Sequence, residues 1–169
     1  ERAARGAVFN SMLNTGQVCM GVERVYVMEE IADEFEHMVR EQVKALRYGP
    51  GEDVDVGAVF WDKQLDIIRH HVEDARKRGA TIDIGGEIDR THGVFYKPTM
   101  LTNVTHDMEI MREETFGPIV AIQRVGSEAE AIRMANDSEY GLSASVWTKD
   151  IEKGIRIAKQ IEAGSVCIN

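Results

Sequence analysis

Segments typical of β-strands alternate along this chain with segments whose apolar residues recur at helical spacing. Five stretches rich in β-branched and apolar residues predict strands, at 22–28, 81–84, 119–125, 143–147 and 165–168. Helical patterns lie before and between them, at 2–14, 31–46, 62–78, 127–135 and 151–161. Such an alternation favours an α/β fold with a mostly parallel, twisted sheet flanked by helices. The length of 169 residues fits one domain over 1–169.

The helical patterns also predict which side chains are buried and where the helices begin. The helix over 31–46 is expected to bury Ile31, Phe35, Met38, Val39, Val43 and Leu46. The next helix is expected to bury Leu65, Ile68, Val72 and Ala75. Asp62, Ser127 and Asp150 are predicted to cap helices, since short polar side chains accept hydrogen bonds from free amides of the first turn. Residues 85–114 form the least regular part of the chain, and long irregular segments often carry function.

Charge and cysteine content narrow the classes of function. The formal net charge is −9 at pH 7, which argues against nucleic-acid and membrane-surface partners because both are anionic. No apolar run approaches the length of about 18 residues that spans a bilayer. Two cysteines, Cys19 and Cys167, make neither a disulfide framework nor a metal-ligand spacing, so a reducing, cytoplasmic compartment and no metal are predicted.

The chain begins Glu-Arg-Ala-Ala without an initiator methionine and ends within a predicted strand. We expect it to be a piece of a longer protein. Because such a piece leaves an apolar face and strand edges uncovered, self-association into a homo-oligomer is expected as well.

Cys19 lies between a helix and a strand, in a connection flanked by Gly16 and Gly21. It is either a small buried apolar residue, which free cysteines commonly are, or a thiolate nucleophile presented by a loop. Cys167 lies between Val166 and Ile168 in a predicted strand, where a structural, buried role is expected.

Two adjacent carboxylates, Glu113 and Glu114, precede Thr115-Phe116-Gly117-Pro118. Such a pair is usually a solvated turn, but Phe-Gly-Pro predicts a rigid entry into the strand at 119–125. A carboxylate held there can accept hydrogen bonds from ribose hydroxyls. The sequence contains no Gly-x-x-x-x-Gly-Lys phosphate loop, Gly-x-Gly-x-x-Gly fingerprint or Gly-x-Ser-x-Gly elbow, so most of any nucleotide site is expected to lie elsewhere.

The histidines give no clear functional signal. His70 and His71 are adjacent, point to different faces of their helix and cannot chelate together. No partner is evident for His37, His92 or His106. All are interpreted as solvated or locally bonded.

Four stretches together resemble one known family. They are Asn-Thr-Gly-Gln-Val-Cys at 14–19, Glu-Glu-Thr-Phe-Gly-Pro-Ile at 113–119, Asn-Asp-Ser-Glu-Tyr-Gly-Leu-Ser-Ala-Ser-Val at 136–146, and Gly-Ser-Val-Cys-Ile-Asn at 164–169. In order and spacing they resemble the catalytic domain of the aldehyde dehydrogenase superfamily over essentially the whole chain. The first resembles the active-site cysteine motif of that family, and the second resembles its cofactor motif.

The resemblance implies a role for four residues. Cys19 would be the nucleophile. Glu114 would bind the nicotinamide-side ribose of NAD or NADP, Phe116 would flank the nicotinamide, and Gln64 would also touch that ribose. The implied reaction is oxidation of a small aldehyde to an acid, in which the thiolate adds to the carbonyl, hydride passes to the cofactor and the thioester is hydrolysed.

The resemblance also implies that parts of the site lie outside this chain. In the family, the general-base glutamate, an asparagine that stabilises the oxyanion and the dinucleotide-binding domain precede the cysteine. We therefore expect residues 1–169 alone to show little or no turnover.

Two alternatives to a hydrolytic dehydrogenase stay open. One is a relative that transfers the acyl group to coenzyme A or starts from an acyl phosphate. The other is a non-catalytic structural or interaction domain of the same fold, because function depends on the site rather than on the fold.

Overall fold

The computed structural model describes residues 1–91 and 93–169, and His92 lies outside the described residues. The strands are β1 (Val25–Met28), β2 (Thr81–Ile84), β3 (Ile88–Asp89), β4 (Phe95–Tyr96), β5 (Thr99–Thr102), β6 (Ile119–Val125), β7 (Ser143–Val146) and β8 (Ser165–Ile168). The helices are α1 (Arg2–Met12), α2 (Glu29–Ala45), α3 (Asp62–Lys77), α4 (Glu109–Arg112), α5 (Glu128–Asn136) and α6 (Ile151–Ala158), and a 3₁₀ turn, Leu13–Gly16, follows α1.

The main sheet has four strands in the order β1-β6-β5-β2. Strand β6 pairs in parallel with both β1 and β5, and β2 pairs antiparallel with β5. Strands β7 and β8 form a separate parallel pair, and β3 and β4 form an antiparallel pair. The predicted α/β fold with a mostly parallel sheet is confirmed, although the strands are divided among three sheets.

Two apolar cores cover the two faces of the main sheet. Helix α3 packs on one face, where its residues meet Leu101 and Ala121. Helices α1 and α2 pack on the other face, where they meet Met100, Val120 and Ile122. Because successive residues of a strand point to opposite faces, β5 and β6 contribute to both cores, and β6 is an almost continuous apolar run for that reason.

Strand β5 is the main element that the sequence did not predict. Thr99, Met100, Leu101 and Thr102 are all buried, so the strand lacks the alternation of apolar and polar residues that marks a strand with one exposed face. It lies within 85–114, the stretch expected to be irregular. That stretch also contains β3, β4 and α4.

Several local predictions can be compared with the structure directly. Leu65, Ile68, Val72 and Ala75 are buried as predicted, and the side chains of Ser127 and Asp150 accept the capping hydrogen bonds. The prediction for Asp62 is wrong, because the α3 N-cap is Trp61 and the Asp62 carboxylate pairs with Arg90 at 2.9 Å. In α2, Val39 and Val43 are buried as predicted, and Phe35, Met38 and Leu46 are partly buried against the same core. The prediction for Ile31 is wrong, because it is exposed and Ala32 is buried instead.

The expected burial of Cys167 is also wrong. Cys167 is in β8 as predicted, but its side chain is exposed together with Ser143, Ser145 and Ser165. In this parallel pair alternate side chains point to one face, and the opposite face is the one that packs on α6.

None of the helices in the described ranges is both long and apolar enough to pass through a bilayer.

Candidate functional site

The segment that carries Cys19 begins with an unusual backbone. Asn14, Thr15 and Gly16 have φ angles of 50°, 64° and 72°, so three consecutive residues adopt the left-handed conformation. Residues other than glycine adopt it rarely, because Cβ comes close to the following carbonyl. The surrounding structure must therefore hold this turn in place.

One hydrogen bond closes the turn on itself, and two others fix it to the chain that precedes α3. The Asn14 side-chain amide donates to the Gln17 carbonyl at 3.1 Å. Thr15 Oγ1 accepts from the Gly57 amide at 3.0 Å, and Gln17 Oε1 accepts from the Phe60 amide at 2.9 Å. The turn is thus anchored by side chains immediately before Cys19.

Cys19 is exposed, which contradicts the interpretation of Cys19 as a buried apolar residue. Its backbone N–H donates no hydrogen bond to any of the described residues, 1–91 and 93–169. An accessible thiol beside a free backbone donor can receive a carbonyl carbon on sulfur and the carbonyl oxygen on the amide.

The Glu113–Pro118 segment connects α4 to β6, and three side chains hold its central residue, Thr115. The Glu23 carboxylate accepts from the Thr115 amide at 3.3 Å, and Gln64 Nε2 donates to the Thr115 carbonyl at 2.8 Å. His71 Nδ1 lies 3.0 Å from Thr115 Oγ1. The next residue, Phe116, donates its amide to Glu23 at 3.1 Å and has a left-handed φ of 52°.

The two motif segments touch each other through their backbones. Gly16 faces Gly117 so closely that a Cβ placed on Gly16 would lie 1.9 Å from the Gly117 carbonyl oxygen. Only glycine fits there, because the position combines a positive φ with backbone contact. Residues about a hundred positions apart in sequence are therefore held in fixed relation at the beginning of β6.

We expect Gly16→Ala to disrupt this contact. A methyl group at Gly16 would overlap the Gly117 carbonyl and strain the left-handed turn, which together cost roughly 2–5 kcal/mol. The full-length protein should unfold at a lower temperature in a thermal scan. The control is Gly126→Ala, since a Cβ there meets only the Glu130 carboxylate at 3.6 Å. Equal thermal stability of the two variants would contradict the assigned contact.

A cavity lies beside the two segments that this contact joins, and Phe116 is the predicted site residue that lines it. Phe116, Asn14, Gln17, Ala58 and Phe60 line this cavity of about 410 Å³. Its lining combines the amide side chains of Asn14 and Gln17 with the aromatic rings of Phe60 and Phe116. Cys19 and Glu114 are not among the lining residues; both are exposed near it in sequence.

Glu114 and Gln64 differ in whether their polar atoms are free to bind a further molecule. The Glu114 carboxylate is exposed and forms no ion pair within the described ranges, so its oxygens are available as acceptors. Gln64 lies beside the same segment, but its amide nitrogen is already bound to Thr115. Gln64 thus supports the Thr115 segment, and its direct contact with a ribose stays a prediction.

Two titratable groups beside Thr115, the half-buried Glu23 and the buried His71, have shifted pKa values. Burial raises the pKa of the Glu23 carboxyl to about 7, against the opposing effect of its bonds to the Phe116 and Thr115 amides. Burial lowers the pKa of His71, which favours the neutral imidazole at its bond to Thr115.

The sequence did not indicate Glu23, His71 or Tyr140 as parts of the site. Tyr140, in the stretch at 136–146, donates from its hydroxyl to the Glu113 carboxylate at 3.3 Å. His71 was interpreted as solvated or locally bonded, yet it is buried against Thr115. Each contact joins distant parts of the chain, so no spacing pattern pointed to it. No group of three or more potential ligand side chains able to hold a metal ion occurs in the part of the chain that the structure describes.

The chain is similar in sequence to known aldehyde dehydrogenases. The sequence profile of the aldehyde dehydrogenase family matches residues 1–169. A Mycolicibacterium smegmatis protein, provisionally named succinate-semialdehyde dehydrogenase (NADP+), is 45% identical over 170 residues, which are 99% of this chain and 33% of that protein. An aldehyde dehydrogenase of Paenarthrobacter nicotinovorans is 42% identical over 171 residues, which are 100% of this chain and 37% of that protein.

Solved structures show the same fold. Betaine aldehyde dehydrogenase of Staphylococcus aureus, crystallised with NAD+, superposes with a TM-score of 0.93 at 35% identity over 98% of this chain and 34% of its own. Lactaldehyde dehydrogenase of Escherichia coli gives a TM-score of 0.94 at 34% identity over 98% of this chain and 35% of its own. The chain therefore spans about a third of the length of the relatives that it matches.

Proposed function

Because this chain belongs to the aldehyde dehydrogenase family, we propose that the protein of which it is part oxidises an aldehyde to a carboxylic acid with NAD or NADP. In this proposal residues 1–169 form the nucleophile-bearing catalytic domain, and a dinucleotide-binding domain lies elsewhere in the longer protein. The contact of Gly16 with Gly117 carries the proposal, because it fixes the Cys19 segment against the segment of Glu114 and Phe116.

Cys19 has the role of the nucleophile. An aldehyde has no leaving group, so an addition must precede the loss of hydride. The Cys19 thiolate adds to the carbonyl carbon and gives a thiohemiacetal, whose oxygen the free Cys19 amide can stabilise. Loss of hydride gives a thioester on Cys19, and water then releases the acid and restores the thiol.

Ionisation of the thiol accounts for only a small part of the rate. An ordinary thiol with a pKa of about 8.5 is about 3% ionised at pH 7. Complete ionisation therefore accelerates attack about 30-fold, or about 2 kcal/mol, whereas enzymes supply about 8 kcal/mol or more. The remainder must come from positioning and from donors to the oxyanion, which is what an anchored turn provides.

The residues beside Thr115 fit the nicotinamide half of a dinucleotide. Glu114 offers free carboxylate oxygens for ribose hydroxyls, and the Phe116 ring forms an apolar wall of the adjoining cavity. Gln64 supports this segment and lies within reach of the same ribose in the proposal. When bound, the cofactor supplies the hydride acceptor.

A covalent intermediate provides the direct test. The full-length protein is mixed with an aldehyde and NAD or NADP, quenched with acid during turnover and digested. We expect the peptide containing Cys19 to carry the acyl mass and the peptide containing Cys167 to be unmodified. Formation of reduced cofactor without acylation of Cys19 would contradict the proposed role.

The same assay separates the two alternatives. Turnover that depends on coenzyme A, or on phosphate, would identify an acyl-transferring relative. Absence of reduced cofactor with all aldehydes tested would favour a non-catalytic domain, against which the exposure of Cys19 already argues.

The compartment and assembly of the protein are also proposals. Two free cysteines fit a reducing compartment, and we propose the cytoplasm. Large exposed apolar side chains, including Phe9, Phe60 and Leu142, fit burial against other parts of the protein or a second copy, so we propose a homo-oligomer.

A further inference from the structure

Glu23 joins the nucleophile segment to the cofactor segment. It lies four residues after Cys19 and two before β1. Its two carboxylate oxygens accept from the amides of Thr115 and Phe116, at 3.3 and 3.1 Å. These are the only hydrogen bonds of the Glu23 side chain to residues 1–91 and 93–169.

No cation neutralises Glu23 within the described part of the chain. The adjacent Arg24 directs its guanidinium to the Tyr26 hydroxyl and to the carbonyls of Met134 and Ala135. A half-buried carboxylate without a cation is costly when ionised, unless backbone donors compensate it. Here both donors belong to the segment of Glu114 and Phe116.

The bond to Phe116 supports a conformation that Phe116 does not favour. Its φ of 52° is left-handed, and this angle sets the direction of the ring that lines the cavity. On the other side of the segment, Gln64 and His71 bind the carbonyl and hydroxyl of Thr115. Among the described residues, Glu23 alone accepts hydrogen bonds from the two amides.

Of the three residues that hold the Thr115–Phe116 segment, Glu23 is the one whose charge changes near neutral pH. Burial raises the pKa of its carboxyl to about 7; Glu114, on the facing segment, adds to that shift, and Arg24 opposes it. Gln64 carries no charge, and burial lowers the pKa of His71, which favours its neutral form. Protonation of Glu23 replaces a charged acceptor with a neutral one and weakens both bonds.

We infer that Glu23 is a positioning residue that, when ionised, orients Glu114 and Phe116 for the nicotinamide half of the cofactor and releases them when protonated. This inference rests on the proposed function. Ionised Glu23 gives the cofactor segment its ordered form above neutral pH, and acidification loosens it.

Steady-state kinetics of the full-length protein test the inference in Glu23→Gln. Glutamine keeps the shape and one acceptor oxygen but does not titrate. In the wild type, the KM for NAD or NADP should rise about tenfold as the pH falls from 8 to 6, because both hydrogen bonds lose their charged acceptor. In Glu23→Gln this KM should be high at both pH values, and kcat should change less than KM.

Any effect of pH that the two proteins share cancels in the ratio of their KM values. The matched control is Glu30→Gln, an exposed glutamate at the start of α2, which should keep the wild-type profile. A Glu23→Gln protein that retains the wild-type pH dependence of the cofactor KM would overturn the inference.

Hydrogen exchange provides a readout that does not depend on activity. Amides of the peptide over 113–118 should lose protection in Glu23→Ala and, to a smaller extent, in Glu23→Gln, while peptides from α3 stay protected. Unchanged protection over 113–118 would overturn the inference, even if the protein oxidises aldehydes. Conversely, loss of protection in a protein that oxidises no aldehyde would refute the proposed function and leave the Glu23 contact established.

Discussion

Replacing Cys19 with serine is expected to lower kcat for aldehyde oxidation at least about 1,000-fold. A hydroxyl is far less ionised than a thiol near neutral pH, and its acyl ester resists hydrolysis more than a thioester does. Serine differs from cysteine by one atom, and Cys19 is exposed, so the fold should be unaffected. The measurement is aldehyde-dependent formation of reduced cofactor by the full-length protein.

Cys167→Ser is the matched control for this change. Cys167 is also exposed, but it lies in β8, in a strand pair separate from the sheet that contains β6. Its replacement should change kcat less than about twofold, as surface substitutions away from a site usually do. A Cys19→Ser protein that keeps a tenth or more of the wild-type rate would remove Cys19 from the mechanism.

Replacing Glu114 with alanine is expected to raise the KM for the cofactor about 100-fold. A carboxylate that accepts from ribose hydroxyls makes charged hydrogen bonds of about 1.5–3 kcal/mol each, and their loss is about 100-fold in affinity. The effect should be smaller on the KM for the aldehyde, because Glu114 is proposed to contact only the cofactor. Initial rates with cofactor and aldehyde varied separately distinguish the two constants.

Glu139→Gln is the control for the Glu114 variant. Glu139 is an exposed glutamate in the stretch at 136–146 and forms no ion pair within the described ranges. The substitution changes the net charge by one unit beside Tyr140, whose hydroxyl contacts Glu113, without removing a proposed ligand. Similar cofactor KM values for Glu114→Ala and Glu139→Gln would show that general electrostatics, and not a ribose contact, explains the effect.

The functional segments differ in how far sequence alone could describe them. The motif at 14–19 predicted a glycine-flanked connection, and the structure adds that Asn14 and Thr15 are left-handed as well as Gly16. The motif at 113–119 predicted a rigid entry into a strand, and β6 begins at Ile119 as expected. The roles of Cys19, Glu114, Phe116 and Gln64 were implied by resemblance, and they stay predictions until the variants are measured.

Other features could be recognised only in the folded chain. Strand β5 has no alternating pattern because both of its faces are buried, and this burial exists only after helices cover the sheet. Cys167 resembles a core residue between Val166 and Ile168, yet its face of β8 is exposed. The pattern of one strand does not reveal which face another element covers.

The sequence by itself determined the features that depend on near neighbours. These are the apolar face of α3, the caps at Ser127 and Asp150, the limits of β6 and the alternation that defines an α/β fold. Each arises from hydrogen bonds or periodicity within one element, so short-range physics is sufficient.

Only the tertiary structure decided which distant residues meet. Gly16 touches Gly117, and Glu23 binds Thr115 and Phe116, across about a hundred residues of chain. Such contacts follow from the order β1-β6-β5-β2, which places the start of β6 beside the segment that leads into β1. Strand order is set by the free energy of the whole packed core, and no local pattern in one sequence records it.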